Sequence, residues 1–361
     1  MSESERPERL PVSVLTGFLG SGKTTLLKHL LTRPALSDTA VVINEFGEVG
    51  LDHLLVEAAR EDMVLLASGC LCCTVRGDLV DALRRLFKRR AKGEIPAFRR
   101  VVIETTGLAD PAPVIQTLMQ DPLLSDVYRL DGVIVAVDAV NAMDQLDRQA
   151  ESVKQAAVAD RLVLTKTDLA GEVPALTARL RRLNPAAPIL IAEQGRIDPA
   201  LILDAGLYNP ATKSLEAQAW LKAEAYEEPH HDHDHEGHAH PLDRNRHDDH
   251  IRAFCLTWDR PLDWGRFADW IESLIALHGA DLLRIKGLLN VAGSAGPVAI
   301  HGVQHLFHPP VELPAWPDAE RRTRLVFITR DIEAATLKAG LAAFQGADES
   351  AAPGAIQHNP A

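Results

Sequence analysis

The stretch "GFLGSGKTT", Gly17 to Thr25, constrains this chain more than any other. It fits G-x-x-x-x-G-K-[ST], follows the strand-like run "PVSVLTG" and opens the helical run "GKTTLLKHLLT". In that setting the glycines let backbone N–H groups converge on phosphate oxygens at the positive end of a helix dipole. The expected cradle is Gly17, Gly20, Ser21, Gly22, Lys23, Thr24 and Thr25. Lys23 would reach the β- and γ-phosphates and the Thr24 hydroxyl would hold Mg²⁺.

Such a loop needs a strand before it and a sheet around it, and the first half of the chain supplies both. "AVVIN", "RRVVIETTG", "DGVIVAVDA" and "RLVLTKTD" are short apolar, β-branched runs, and helical patterns such as "GDLVDALRRLFKRR" separate them. Continuous apolar strands alternating with helices predict an α/β P-loop NTPase fold, its mostly parallel sheet covered on both faces. Ligands of such sheets bind at the carboxyl ends of the strands. The sequence reading puts every distinctive motif there, including the cysteine run that follows "MVLLA".

Two strand ends extend the phosphate site. In "ETTG" the Glu104 carboxylate can reach the Mg²⁺ shell or its water, and Gly107 can bring a backbone N–H near the γ-phosphate; a helix N-cap is the structural alternative for Glu104. In "TKTD" the stem of Lys166 can lie over a base. Asp168 can accept from the N1–H and exocyclic amine of guanine, a donor pair that adenine lacks. The run has the shape of the guanine motif N-K-x-D with Thr165 in place of Asn.

The chain has 4 cysteines, and Cys70, Cys72 and Cys73 stand together in "GCLCC". Packing, redox chemistry and metal binding are all open to such a cluster. No apolar signal segment is read in "MSESERPERL", so a reducing cytoplasmic setting is expected, where clustered thiols bind metal or act in redox. If extended, Cys70 and Cys72 point one way and Cys73 the other. Two thiolates with one further ligand suit Zn²⁺ or Co²⁺ better than Mg²⁺ or Ca²⁺, and Glu45 and Glu48 in "NEFGEVG" are the nearest motif carboxylates.

The 361 residues divide by pattern: a disordered N-terminus at 1–9, the nucleotide domain at 10–220, a His-rich mobile linker at 221–250, a smaller α+β domain at 251–345 and a disordered tail at 346–361. Most of the 15 histidines fall in or just after "HHDHDHEGHAH", His230 to His240, where they would bind transition ions weakly or serve no purpose beyond solvation. His301, His305 and His308 read as surface or core histidines. A formal net charge of −12 argues against nucleic acid or anionic membrane as partner, and no apolar run approaches the ~20 residues of a membrane helix.

Taken together, "TGFLGSGKTTLL", "NEFGEVGLD", "SGCLCC", "ETTGLADP", "LDGVIVAVDA", "TKTD", "LLRIKGLLNV" and "GVQHLF" resemble the CobW family of metallochaperone GTPases, which looks related to the nickel-insertion GTPases for urease and hydrogenase. The resemblance covers nearly all the chain except its termini. It implies a GTPase with a nucleotide-gated metal site built from Cys70, Cys72, Cys73 and Glu48, carrying Zn²⁺ or Co²⁺ as cargo to a client protein. Cobalt delivery for cobalamin synthesis and metal loading of a hydratase are the alternatives within the family. A small-molecule kinase and a non-enzymatic zinc store lie outside it. No basic finger or positioned base stands out, so hydrolysis is expected to be slow without a partner.

Overall fold

The computed structural model describes residues 9–44, 63–65, 71–75, 79–171, 173–203 and 250–346, with the backbone alone for 63–65 and 71–75. Cys70, Glu45, Glu48, the His-rich run, the tail from 347 and residues 1–8 lie outside them.

The first half forms an eight-stranded sheet. Its strands are β1 (Leu10–Thr16), β2 (Thr39–Asn44), β3 (Met63–Leu65), β4 (Leu71–Val75), β5 (Arg100–Thr105), β6 (Tyr128–Asp138), β7 (Arg161–Thr165) and β8 (Ile189–Ala192). They lie in the order β3-β4-β2-β5-β1-β6-β7-β8, and every pair is parallel except β3 with β4. Helices α1 (Lys23–Leu31), α2 (Leu79–Ala91), α3 (Ala112–Gln120), α4 (Pro122–Val127), α5 (Ala142–Arg148), α6 (Ala150–Val158), α7 (Val173–Leu183) and α8 (Pro199–Ile202) connect or flank the strands. The apolar runs of the sequence are continuous because both sheet faces are covered; β6 is buried at nine consecutive residues, Leu130–Asp138. The order reverses around β1, which lies between β5 and β6, so the loop leaving β1 opens into the crevice where such sheets bind ligands.

The cysteine run departs from expectation. Leu65 pairs with Leu71 and Met63 with Cys73 in antiparallel register. A parallel return would need a crossover of about a dozen residues, and only 66–70 separate the two strands. β4 therefore begins, at Leu71, at the amino-terminal edge of the sheet, with Cys72 and Cys73 inside it. In register, Cys73 is level with Val42, Ile103 and Val14, and so is three residues short of Gly17, or about 10 Å along the strand direction. Three strand spacings add about 14 Å sideways. The cysteine strand does not emerge on the phosphate side.

The second half is a smaller α+β unit. Strands β9 (Ile251–Trp258), β10 (Leu282–Leu289), β11 (Val298–Val303), β12 (Leu306–Phe307), β13 (Val311–Glu312) and β14 (Thr323–Arg330) pair antiparallel, with helices α9 (Trp264–His278) and α10 (Ala334–Phe344). A core of Leu256, Phe267, Trp270, Ile285, Phe327, Leu337 and Leu341 fills the helix-covered face. The other face meets the first domain: Leu283, Val303, Leu306 and Ile328 belong to the same buried cluster as Val153, Ala157 and Leu180.

Candidate functional site

The P-loop is shaped by close approach. Gly17 has φ 139°, and a methyl group there would stand 2.2 Å from the Ala136 carbonyl oxygen on β6, so no side chain fits. Gly22 caps α1 in the left-handed region at φ 84°. Lys23 is buried, and its Nζ donates to the Gly17 and Phe18 carbonyls at 2.8 and 3.1 Å, folding the cation back over its own loop.

The end of β5 lies beside it. Leu15 pairs with Glu104, and the Thr24 hydroxyl donates to Glu104 Oε1 at 2.8 Å. Two oxygen donors are thus adjacent at the start of α1, a set that fits a hard cation such as Mg²⁺. Gly107 is buried against the P-loop; an added Cβ would fall 2.5 Å from the Leu19 backbone nitrogen.

The "TKTD" turn closes the other side. Thr165 ends β7 and donates its hydroxyl to the Ser21 carbonyl at 2.8 Å, tying the turn to the P-loop. Lys166 takes φ 57° and its Nζ pairs with Asp138 Oδ2 at 2.7 Å. Burial pushes the Asp138 carboxyl up, but the bonds from Lys166, Asn141 and the Val140 N–H outweigh it and hold the group below the usual carboxylate range. Asp168 is exposed in the turn that follows. The structure therefore brings together Gly17 to Thr25, Glu104, Gly107, Lys166 and the turn bearing Asp168. Cys72 and Cys73 lie three strands away.

Three features escaped the sequence reading. Gln155 on α6 is buried and donates to the Gly107 and Ala109 carbonyls at 3.3 and 3.0 Å. Its only sequence signal is an amide on the apolar side of a helix, between Val153 and Ala156. The turn Glu193 to Arg196 after β8 presses Gly195 against α1, where a Cβ would lie 2.7 Å from the Thr25 carbonyl oxygen. At the domain junction, Asp160 Oδ1 accepts from Arg284 and, at 2.6 Å, from Lys286, both on β10. His301 and His308 are buried nearby with rings stacked at 4.9 Å, while His305 is exposed. Among the described residues no group of three or more His, Cys, Asp or Glu is placed to hold a metal ion, and no helix is long and apolar enough to cross a membrane.

Comparison with known proteins gives the arrangement its lineage. Zinc chaperone YjiA of Escherichia coli is 36% identical over 333 residues, 92% of this chain and 98% of that protein. Zinc chaperone CobW of a Sinorhizobium species is 30% identical over 368 residues, 93% of this chain and 97% of that protein. The crystal structure of Zn(II)-bound YjiA GTPase from E. coli superposes with a TM-score of 0.70 at 33% identity, covering 94% of this chain and 99% of that one. The CobW/HypB/UreG nucleotide-binding domain matches residues 11–191 and the cobalamin synthesis protein cobW C-terminal domain matches residues 251–345. A P-loop sheet with Thr24 on Glu104, joined to an antiparallel second domain and matched in both halves, places this chain in the CobW family.

Proposed function

We propose that this chain is a cytoplasmic GTPase that binds a transition metal, zinc first, and delivers it to a client protein. The observation that carries the reading is similarity along nearly the whole chain to a protein named a zinc chaperone, 36% identical over 92% of this sequence. The site geometry supports the nucleotide half. Gly17 to Thr25 would bind the phosphates, and Lys23 would exchange its loop carbonyls for phosphate oxygens. Asp168 would select guanine. Mg²⁺, held by Thr24 and Glu104, would neutralise charge on the β- and γ-phosphates. Glu104 would also orient the attacking water. Cys70, Cys72, Cys73 and Glu48 are the proposed ligands of the cargo ion, which thiolates bind with release of protons.

The experiment is a titration of Zn²⁺ and Co²⁺ against the nucleotide-free, GDP-bound and GTP-analogue-bound protein, with Co²⁺–thiolate absorption reporting sulfur ligation. Metal affinity should differ between nucleotide states by about 5–150-fold, the usual range of a coupling free energy. Equal affinity in all three states would remove the delivery mechanism even if the cysteines bind metal.

A further inference from the structure

The segment Glu104 to Pro111 carries Glu104 and Gly107, and it is held from two sides. From within the nucleotide domain, the Gln155 amide donates to the Gly107 and Ala109 carbonyls at 3.3 and 3.0 Å, and Gln155 is only 1% exposed. From the second domain, the Gln304 amide donates to Asp110 Oδ2 at 3.2 Å. The other Asp110 oxygen accepts from the Ala112 N–H at 3.0 Å, which fixes the entry to α3. Helix α6, which carries Gln155, is itself gripped by the second domain: Arg284 donates to the Val158 carbonyl, and Arg284 and Lys286 both meet Asp160 just past the helix.

A buried amide among apolar neighbours is costly unless its bonds are made, so Gln155 and the two carbonyls enforce one another. Their joint effect is to set two peptide planes in a loop with no slack, since Gly107 already touches the Leu19 backbone. Misplacing a reacting geometry by about 1 Å can cost on the order of 100-fold in rate.

We propose that Gln155 is a positioning residue for GTP hydrolysis and that the second domain, through Gln304 and its grip on α6, holds the same loop. This rests on the GTPase reading and adds that both domains share one catalytic segment. Gln155 sets the Gly107 backbone against the P-loop. The phosphates themselves are bound by residues 17–25, so the loop governs turnover more than nucleotide affinity.

The test uses the full chain. Gln155→Met keeps the length and removes the donors; Gln155→Glu places a carboxylate opposite two carbonyls but regains a donor when protonated. Gln304→Gly suits the backbone, whose φ is 52°, and removes the side chain that carries the amide. Steady-state kcat and KM for GTP are measured together with amide hydrogen exchange of residues 104–111 without nucleotide. Gln155→Met should lower kcat about tenfold or more, leave KM within about threefold, and speed exchange at 104–111 while β1 and β6 stay protected. The kcat of Gln155→Glu should recover toward the parent value as pH falls, a profile that a purely structural role would not produce. Gln304→Gly should show a smaller loss of kcat with the same exchange pattern. Parent-like kcat and exchange in Gln155→Met overturn the proposal. If Gln155→Met does not fold, Gln304→Gly with unchanged kcat and unchanged exchange overturns it. If the parent protein hydrolyses no GTP, the GTPase reading fails, and exchange alone decides whether Gln155 and Gln304 position the loop.

Discussion

At Gly107 and Thr165 a single atom sets how neighbouring strand ends meet the phosphate loop. A methyl group on Gly107 must displace the Leu19 backbone, because the two nearest atoms it meets, Leu19 N and Cα at 2.5 and 2.7 Å, are main chain and cannot rotate away. Gly107→Ala should therefore cut GTP turnover by well over tenfold while leaving far-ultraviolet circular dichroism unchanged. Thr165 stands where the guanine motif has Asn, yet its hydroxyl binds the Ser21 carbonyl, so the substitution keeps a donor to the P-loop. Thr165→Val removes one buried hydrogen bond, worth about 1 kcal/mol. It should weaken GTP and ATP alike by roughly fivefold in competition binding. If Asp168 selects guanine as proposed, Asp168→Ala should instead abolish the preference for GTP in the same competition assay. These residues were legible in the sequence because phosphate and base chemistry demand particular residue types at fixed spacing. Gln155 obeys no such spacing: its partners are backbone carbonyls 48 and 46 residues away, and any sequence there supplies a carbonyl.

At the scale of elements, the alternation of apolar strands and helices showed the parallel sheet, because strands buried on both faces have no choice but continuous apolarity. The same reasoning misplaced the cysteines. "MVLLA" reads like the other strands, and only the shortness of the connection at 66–70 shows that the chain must reverse. The consequence for metal binding is testable. Cys72 and Cys73 lie within β4, three strands from the P-loop, so Cys72→Ala should lose Co²⁺–thiolate absorption and bind GTP with unchanged affinity. On the proposed ligand set, coupling between the ion and the nucleotide would have to cross β2 and β5, because Cys72 and Cys73 lie on β4 and the P-loop leaves β1. Loss of GTP binding in Cys72→Ala would show that the two sites are one.

At the scale of the molecule, the junction between domains joins apolar packing to a buried charge group. Burial pushes the Asp160 carboxyl up, but Arg284 and Lys286 outweigh it and hold the group well below the usual range. Burial and Arg284 lower Lys286 to about 8. Removing the shared carboxylate strands two cations, so Asp160→Ala should cost about 3–5 kcal/mol in a denaturant melt. The histidines add a pH dependence. Burial lowers His308 to about 4, against the pull of Asp160, and holds His301 well below its usual value with help from Arg284. Both are neutral when folded, whereas the unfolded chain takes up protons below about pH 6.5, so stability falls as pH drops from about 6.5 toward 4. The slope approaches about 1.4 kcal/mol per pH unit for each histidine. Thermal melting between pH 7.5 and 5 should show it, and His308→Gln should reduce the slope by about half, leaving the share of His301. Two cations in the otherwise apolar strand "LLRIKGLL" are a hint of this junction, but their partner lies 124 and 126 residues earlier.

Because Asp160 belongs to one domain and its two cations to the other, each half carries part of a charge group that the other completes. Co-expressed halves, residues 1–249 and 250–361, should reassemble and travel together in gel filtration. Each half alone would expose Leu283, Val303, Leu306 and Ile328 or the surface that covers them, and should be soluble only in the company of the other.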